Sequence, residues 1–222
     1  MAEKNINVLK WDDIPRVKRG RGIVEYWDCA PADVDILMGT FTKSFGSVGG
    51  YIAGDQAVID YLRQTSLGTR YAVSMSPPCV RQAEAALAQM ESPYGLSRIE
   101  RLHSNSNYFR ERLGEMGFQV AGDPDSPVVP MFLYHPTKMP AFSRLLLDRG
   151  IAIVVVGFPA TPLILSRCRF CISAAHTKED LDVAIDIIAE VGDLCMLRYC
   201  KDGVVWRRPL PHDRLANLVK FA

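Results

Sequence analysis

Between Ser97 and Leu197 the apolar residues switch repeatedly between the three-to-four-residue spacing of a buried helix face and the β-rich runs of a strand, and few architectures accommodate both. Ile99, Leu102, Phe109 and Leu113 predict a helix from about Ser97 to Met116, closed by Gly117, where a left-handed C-terminal cap favours glycine. Val128 to Tyr134 is β-rich, Met139 to Arg149 helical, Ile151 to Val156 β-branched, Arg169 to Ser173 a strand, and Lys178 to Leu197 amphipathic. Such an order predicts an α+β lobe with a small sheet.

Upstream, Val34 to Met38 reads as a buried strand that runs into Gly39-Thr40. Gly46 to Gly54 packs four glycines into nine residues around Tyr51-Ile52-Ala53, so strand, loop, glycine-rich turn and strand is the expected order. Val58, Ile59 and Leu62 predict a helix over Gln56 to Gln64, and another follows the Ser76-Pro77-Pro78 breaker from about Val80 to Met90. Residues 1–20 are polar and basic without periodicity and read as an appended leader; residues 200–222, with Pro209 and Pro211, read as a tail.

Composition narrows the function. A net charge of +1 supplies no field to steer the chain to nucleic acid or an anionic membrane surface, so function must lie in local sites. Six cysteines without a signal-peptide pattern fit free thiols in a reducing compartment. Cys168 and Cys171 form a C-x-x-C, but no second pair accompanies it and the segment reads as a strand with alternating faces, so no metal is expected. The most apolar stretch, Ile151 to Pro162, is too short to span a bilayer and is broken by Gly157 and Pro159.

The segment Gly39-Thr40-Phe41-Thr42-Lys43-Ser44-Phe45-Gly46 is the richest in chemistry. A lysine held among apolar groups after a strand loses part of its tendency to carry charge, which suits an amine that must attack an aldehyde. Thr40 and Thr42, two apart, would share one side of an extended segment and donate to phosphate oxygens. Spacing alone is equally compatible with a surface lysine in a hydroxyl-rich turn. A Walker phosphate loop is excluded because Lys43 precedes the glycines.

The run GTFTKSFGSVGGYIAG, with YAVSMSPP at 71–78, DSPVVP at 125–130, and VVVGFPATP followed by RFCISAAHT between 154 and 177, resembles the lysine-bearing long-chain-base subunits of serine palmitoyltransferase, in the α-oxoamine synthase family. The likeness runs from about Gly20 to Tyr199. It implies a fold-type I pyridoxal-phosphate (PLP) α/β fold of the aminotransferase kind, truncated to the end of the large domain and the complete small α+β domain. In those terms residues 1–20 are a leader, 21–95 the remainder of the cofactor-binding domain, 96–199 the small domain and 200–222 a tail.

The resemblance also implies roles. Lys43 would be the Schiff-base lysine of pyridoxal 5'-phosphate and, once displaced by L-serine, the base that removes the Cα proton; attack on palmitoyl-CoA with loss of carbon dioxide would give 3-ketosphinganine. Thr40, Thr42 and Ser74 would bind the phosphate, Ser74 across a dimer interface. Arg169 would hold the serine carboxylate, as a guanidinium fork does and an ammonium does not, with Arg167 the competing candidate. Pro159, Ala160, Thr161 and Pro162 would form a semi-rigid lid over the substrate. His176 is expected to be structural, capping the helix that starts near Thr177. The implied partner is a non-catalytic subunit of the same enzyme, and the implied location of the full-length protein is the cytosolic face of the endoplasmic reticulum membrane.

One departure bears on activity. Where relatives carry the aspartate that pairs with the pyridine nitrogen and the histidine near the ring, this chain has Val8 and Trp11 in register, with Asp12 and Asp13 displaced. The chain therefore reads as a truncated form. Two other readings stay open: a catalytically silent fragment that binds a partner subunit, and an α-oxoamine synthase that uses glycine or alanine.

Overall fold

A computed structural model describes residues 20–123 and 126–200. The leader, with Val8, Trp11, Asp12 and Asp13, and the tail from residue 201 lie outside the described residues. Two compact units divide the chain, Met1–Ile99 and Glu100–Ala222.

The first unit begins with a single helical turn, α1 (Ile23–Tyr26). Strands β1 (Ile36–Thr40) and β2 (Gly50–Gly54) then form an antiparallel pair in which Thr40 faces Gly50, so the glycine-rich segment is the returning strand of a hairpin. Helices α2 (Gln56–Thr65), α3 (Leu67–Tyr71) and α4 (Pro77–Glu91) follow. Asp55 caps α2 by accepting from Ala57 N–H, and Pro77 at the start of α4 needs no amide partner there. Among the described apolar side chains of this unit only that of Ala83 is buried, whereas Met38 is 71% and Ile52 55% exposed. A two-stranded ribbon without a covered face is marginal in water, so this unit draws little stability from its own packing.

The second unit does have a core. It holds α5 (Pro93–Glu115) from Glu100 onward, β3 (Val128–Tyr134), α6 (Lys138–Leu147), β4 (Val154–Val156), β5 (Ser166–Cys171) and α7 (Lys178–Leu194). The sheet is antiparallel throughout, in the order β3-β5-β4. Its inner face is Val129, Met131 and Leu133 from β3 with Cys168 and Phe170 from β5, packed against Phe109 and Leu113 of α5, Phe142 and Leu146 of α6, and Leu181, Ile185, Ile188 and Val191 of α7. β3 coincides with the run read as β-rich, and α7 lies within the stretch read as amphipathic.

Polar devices fix its ends. Thr177 caps α7 by accepting from Asp180 N–H while the Asp180 carboxylate accepts from Thr177 N–H, a reciprocal capping box. The Asp180 carboxyl is held below its usual range, chiefly by that backbone N–H and then by the threonine hydroxyl. Arg110 is buried and donates to three backbone carbonyls, those of Ala121, Ser126 and Val128, which sets the entry into β3. Gly117 takes φ +85° just past the end of α5, the left-handed cap expected of it.

Several boundaries differ from the sequence reading. Of Ile151 to Val156 only Val154–Val156 pairs as strand, and β5 starts at Ser166 and ends at Cys171, not at Ser173. His176 does not cap α7: Thr177 does, and His176 Nδ1 accepts from Ser173 N–H, tightening the turn before the helix. Lys178 is solvent-exposed and ion-pairs with Asp182 at 3.3 Å. Cys168 is buried on the inner face and Cys171 exposed on the outer, so the C-x-x-C thiols cannot reach one ion. Burial pushes the Cys168 thiol far up, leaving it an inert packing group. Among the described residues no helix is long and apolar enough to cross a membrane.

Candidate active site

The loop that joins β1 to β2 carries Lys43. Phe41 N–H donates to Gly49 O at 2.9 Å, Ser47 N–H to Phe41 O at 2.9 Å, and Gly46 N–H to Lys43 O at 3.0 Å, with Gly46 at φ +61°. Phe41 packs edge-on to Phe45, with ring centroids 5.2 Å apart, and against Tyr51 at 5.6 Å. Helix α4 pins the loop from outside: Ser47 Oγ donates to Cys79 O at 2.7 Å and Gln82 Nε2 to Phe45 O at 3.1 Å. Lys43 is thus held at the tip of a locked loop.

Its side chain is exposed, and Nζ donates to Thr42 Oγ1 at 3.1 Å. The apolar surroundings expected for it are not supplied by the described residues of this unit. Thr40 is the last residue of β1, while Thr42 has already left the strand, so the two hydroxyls do not share a strand face as the spacing suggested. They stand on either side of Phe41, both before Lys43 in the chain, and both are exposed.

Ser74 lies in the segment between α3 and α4 and is exposed; the helix begins after Ser76, so Ser74 is not its cap. The neighbouring Met75 sits where a Cβ on Gly49 would come within 2.8 Å of its side chain, and Gly49 has φ +87°. A side chain at position 49 is therefore excluded twice, and the Ser74 segment is brought against the base of the lysine loop.

In the second unit, Arg169 and Arg167 both project from the outer face of β5, opposite Pro130 and Phe132 of β3 and Val154 and Val156 of β4. Arg167 is half-buried with its guanidinium 5.9 Å from the Phe132 ring centroid, while Arg169 is exposed and so the freer of the two to meet a ligand. After β4 the chain turns twice, Thr161 N–H donating to Gly157 O at 3.2 Å and Leu165 N–H to Pro162 O at 2.9 Å. Pro159, Ala160 and Pro162 are exposed, but Thr161 is only 5% exposed and its buried hydroxyl has no hydrogen-bond partner among the described residues. The middle of the expected lid is its anchor. Phe132 and Tyr134, which line the same outer face as the arginines, were not singled out by the sequence reading; alternation along β3 marks that face but not what it is for.

An amine beside two hydroxyls is a donor set that fits a phosphate-bearing aldehyde. The comparisons bear on that fit. The chain is 54% identical to "Serine palmitoyltransferase 2" of Dictyostelium discoideum over 188 residues, which is 83% of this chain and 38% of the relative. It is 53% identical to "Long chain base biosynthesis protein 2a" of Oryza sativa over 200 residues, 88% of this chain and 41% of the relative. It is 50% identical to "Serine palmitoyltransferase 3" of Homo sapiens over 186 residues, 82% of this chain and 34% of the relative. The chain thus spans about two fifths of the length of the curated relatives it matches.

Among solved structures, a high-resolution structure of serine palmitoyltransferase with a PLP internal aldimine superposes with a TM-score of 0.75 at 25% identity, covering 82% of this chain and 45% of that one. The 8-amino-7-oxononanoate synthase of Francisella tularensis, at 20% identity and a TM-score of 0.70 over 80% of this chain and 51% of that one, shares the fold. The family model for aminotransferase class I and II matches residues 20–188, and the chain belongs to that family.

Proposed function

We propose that the protein of which this chain is part is a PLP-dependent acyltransferase that condenses L-serine with palmitoyl-CoA to 3-ketosphinganine. The observation that carries the reading is Lys43 on its pinned loop just after Thr40 and Thr42, in a chain about half identical to proteins named serine palmitoyltransferase. Lys43 would hold the cofactor's aldehyde carbon, and Thr40, Thr42 and Ser74 would donate to its phosphate. Bound there, pyridoxal phosphate supplies an acceptor for the electron pair left at the substrate Cα.

This chain's own groups would do the rest. Lys43 Nζ would move the proton at serine Cα. Arg169 would clamp the serine carboxylate with two parallel N–H donors, and Pro159, Ala160, Thr161 and Pro162 would form the lid over the substrate. The expected partner is a non-catalytic serine palmitoyltransferase subunit, and the expected site of work is the cytosolic face of the endoplasmic reticulum. The exposed apolar residues of the first unit support a partner.

That same exposure favours a second reading, in which this chain by itself is catalytically silent and acts by binding a partner subunit. One experiment separates the two. Residues 20–199 replace the matching segment of the Dictyostelium relative, and 3-ketosphinganine formation is measured beside the native enzyme and beside the 222-residue chain alone. Product from the chimera supports the enzyme reading. A chimera that folds and binds the partner without product supports the silent one.

A further inference from the structure

The bonds that hold the lysine loop fall into two sets. Phe41 N–H to Gly49 O, Ser47 N–H to Phe41 O and Ser47 Oγ to Cys79 O fasten its base, where the chain leaves β1 and returns to β2. The tip, Lys43 to Gly46, is held differently. Gly46 N–H donates to Lys43 O at 3.0 Å, which closes a four-residue turn, and the carbonyl of the same peptide unit, Phe45 O, accepts from Gln82 Nε2 at 3.1 Å. A Cβ on Gly46 would lie 3.6 Å from that Nε2, so the glutamine amide sits against the Phe45-Gly46 peptide. A peptide unit is planar, and a donor that fixes its oxygen also fixes the direction of its N–H. Gln82, the Phe45-Gly46 peptide and Lys43 O thus form one hydrogen-bonded chain from α4 to the backbone of the lysine itself.

We infer that Gln82 is a positioning residue for Lys43: through the Phe45-Gly46 peptide it sets the direction in which the lysine side chain leaves the loop. The inference rests on the reading of Lys43 as the working amine. Two features favour positioning over a general contribution to stability. Gln82 is itself exposed, while the buried contact of α4 is made by its neighbour Ala83, so the glutamine serves the loop rather than the packing of the helix. The helix that carries it also starts at Pro77, directly after the segment of Ser74, and Met75 of that segment lies against Gly49. One element therefore governs both the amine and the serine proposed for the phosphate. An amine displaced by about 1 Å loses up to about a hundredfold in rate even where every group that binds substrate is intact.

The test ranks three substitutions by what they donate. Gln82→Met and, at neutral pH, Gln82→Glu carry no side-chain N–H, whereas Gln82→Lys keeps one on a flexible stem, and all of these residues are near-equal helix formers, so α4 itself is undisturbed. In the 222-residue chain without cofactor, amide exchange followed by NMR should speed up at Gly46 by about fivefold in the Met and Glu variants and by less than about twofold in the Lys variant. Phe41 and Ser47, at the base of the loop, should stay within about twofold in all three, with the thermal midpoint unchanged. In the chimera carrying residues 20–199, Gln82→Met should lower kcat at least about tenfold with both KM values within about twofold, and Gln82→Lys should recover most of that loss. Exchange at Gly46 that is unchanged in the Met and Glu variants, or raised alike in all three, would overturn the inference. So would faster exchange with kcat unaltered in a chimera that Lys43→Ala inactivates, and so would a fall in kcat matched by a fall in thermal midpoint, since damage to the helix would explain both. The exchange ranking needs neither cofactor nor turnover. If it holds in a protein where Lys43 proves dispensable, the acyltransferase reading alone is lost; if it fails where Lys43 is essential, this inference alone is lost.

Discussion

Ser47 Oγ donates to the carbonyl of Cys79 at 2.7 Å, and that bond ties the loop bearing Lys43 to the first turn of α4. With Gln82 donating to Phe45 O it replaces the rigidity that packing would otherwise give an exposed loop. Ser47→Ala should therefore loosen the loop without unfolding the chain. Loss of one neutral hydrogen bond is worth about 1 kcal/mol, so amide exchange over residues 41–46 should speed up by about fivefold, read by hydrogen exchange with mass spectrometry. Unchanged protection would mean that the Phe41, Phe45 and Tyr51 cluster holds the loop unaided.

Arg110 should be the most costly polar residue of the second unit to remove. Its buried guanidinium serves three carbonyls, and truncation leaves all three without that donor. Arg110→Ala should destabilise the unit by about 3 kcal/mol in urea unfolding, and Arg110→Lys should recover only part of that because a point charge cannot reach the three oxygens together.

Thr161 presents the opposite case. Its hydroxyl is buried without a partner among the described residues, so Thr161→Val, which keeps the shape and removes the desolvated oxygen, should leave unfolding of the second unit unchanged or raise its stability by about 1 kcal/mol. A loss of turnover in the chimera at unchanged stability would assign the hydroxyl to a ligand.

The second unit should lose stability in acid through three carboxylates. Asp180 is depressed chiefly by the Thr177 N–H, Asp182 by the Tyr108 hydroxyl, and Asp193 by the Arg198 guanidinium. A folded-state pKa below the unfolded value means that the folded form binds fewer protons. The stabilisation is present above the ordinary carboxylate pKa of about 4 and disappears as pH falls through the lower folded values. Thermal unfolding from pH 6 to pH 2 should show the midpoint falling mainly below about pH 4, and Asp180→Asn should flatten that fall in part. A midpoint that instead rose on acidification would contradict the assignment of these contacts.

How much of this was legible in the sequence depends on where the information sits. The helix ending at Gly117 and the β-rich run from Val128 to Tyr134 were readable because period or composition along one stretch of chain was enough, whereas which β3 residues turn inward was not legible in so uniformly apolar a run. The start of β5 was not, because Ser166, Arg167 and Cys168 owe their pairing to β3 and β4 rather than to any strand preference of their own. Helix α3, a short Leu-Gly-Thr-Arg-Tyr stretch, has no period to read. At the site, the lysine segment and Arg169 were found through family motifs. What the motifs do not encode is that Lys43 stands exposed, that Thr42 has left the strand, and that Thr161 is the buried pivot of its loop, since each depends on residues distant in sequence.

The account's central claim is that Lys43 is the working amine, and the chimera carrying residues 20–199 tests it most directly. With Lys43→Ala, 3-ketosphinganine formation should fall by at least about a thousandfold, while the thermal midpoint of the chimera and its binding of the partner subunit stay unchanged, because the substitution removes both the cofactor's anchor and the base. Product formation at the unsubstituted chimera's rate would contradict the claim.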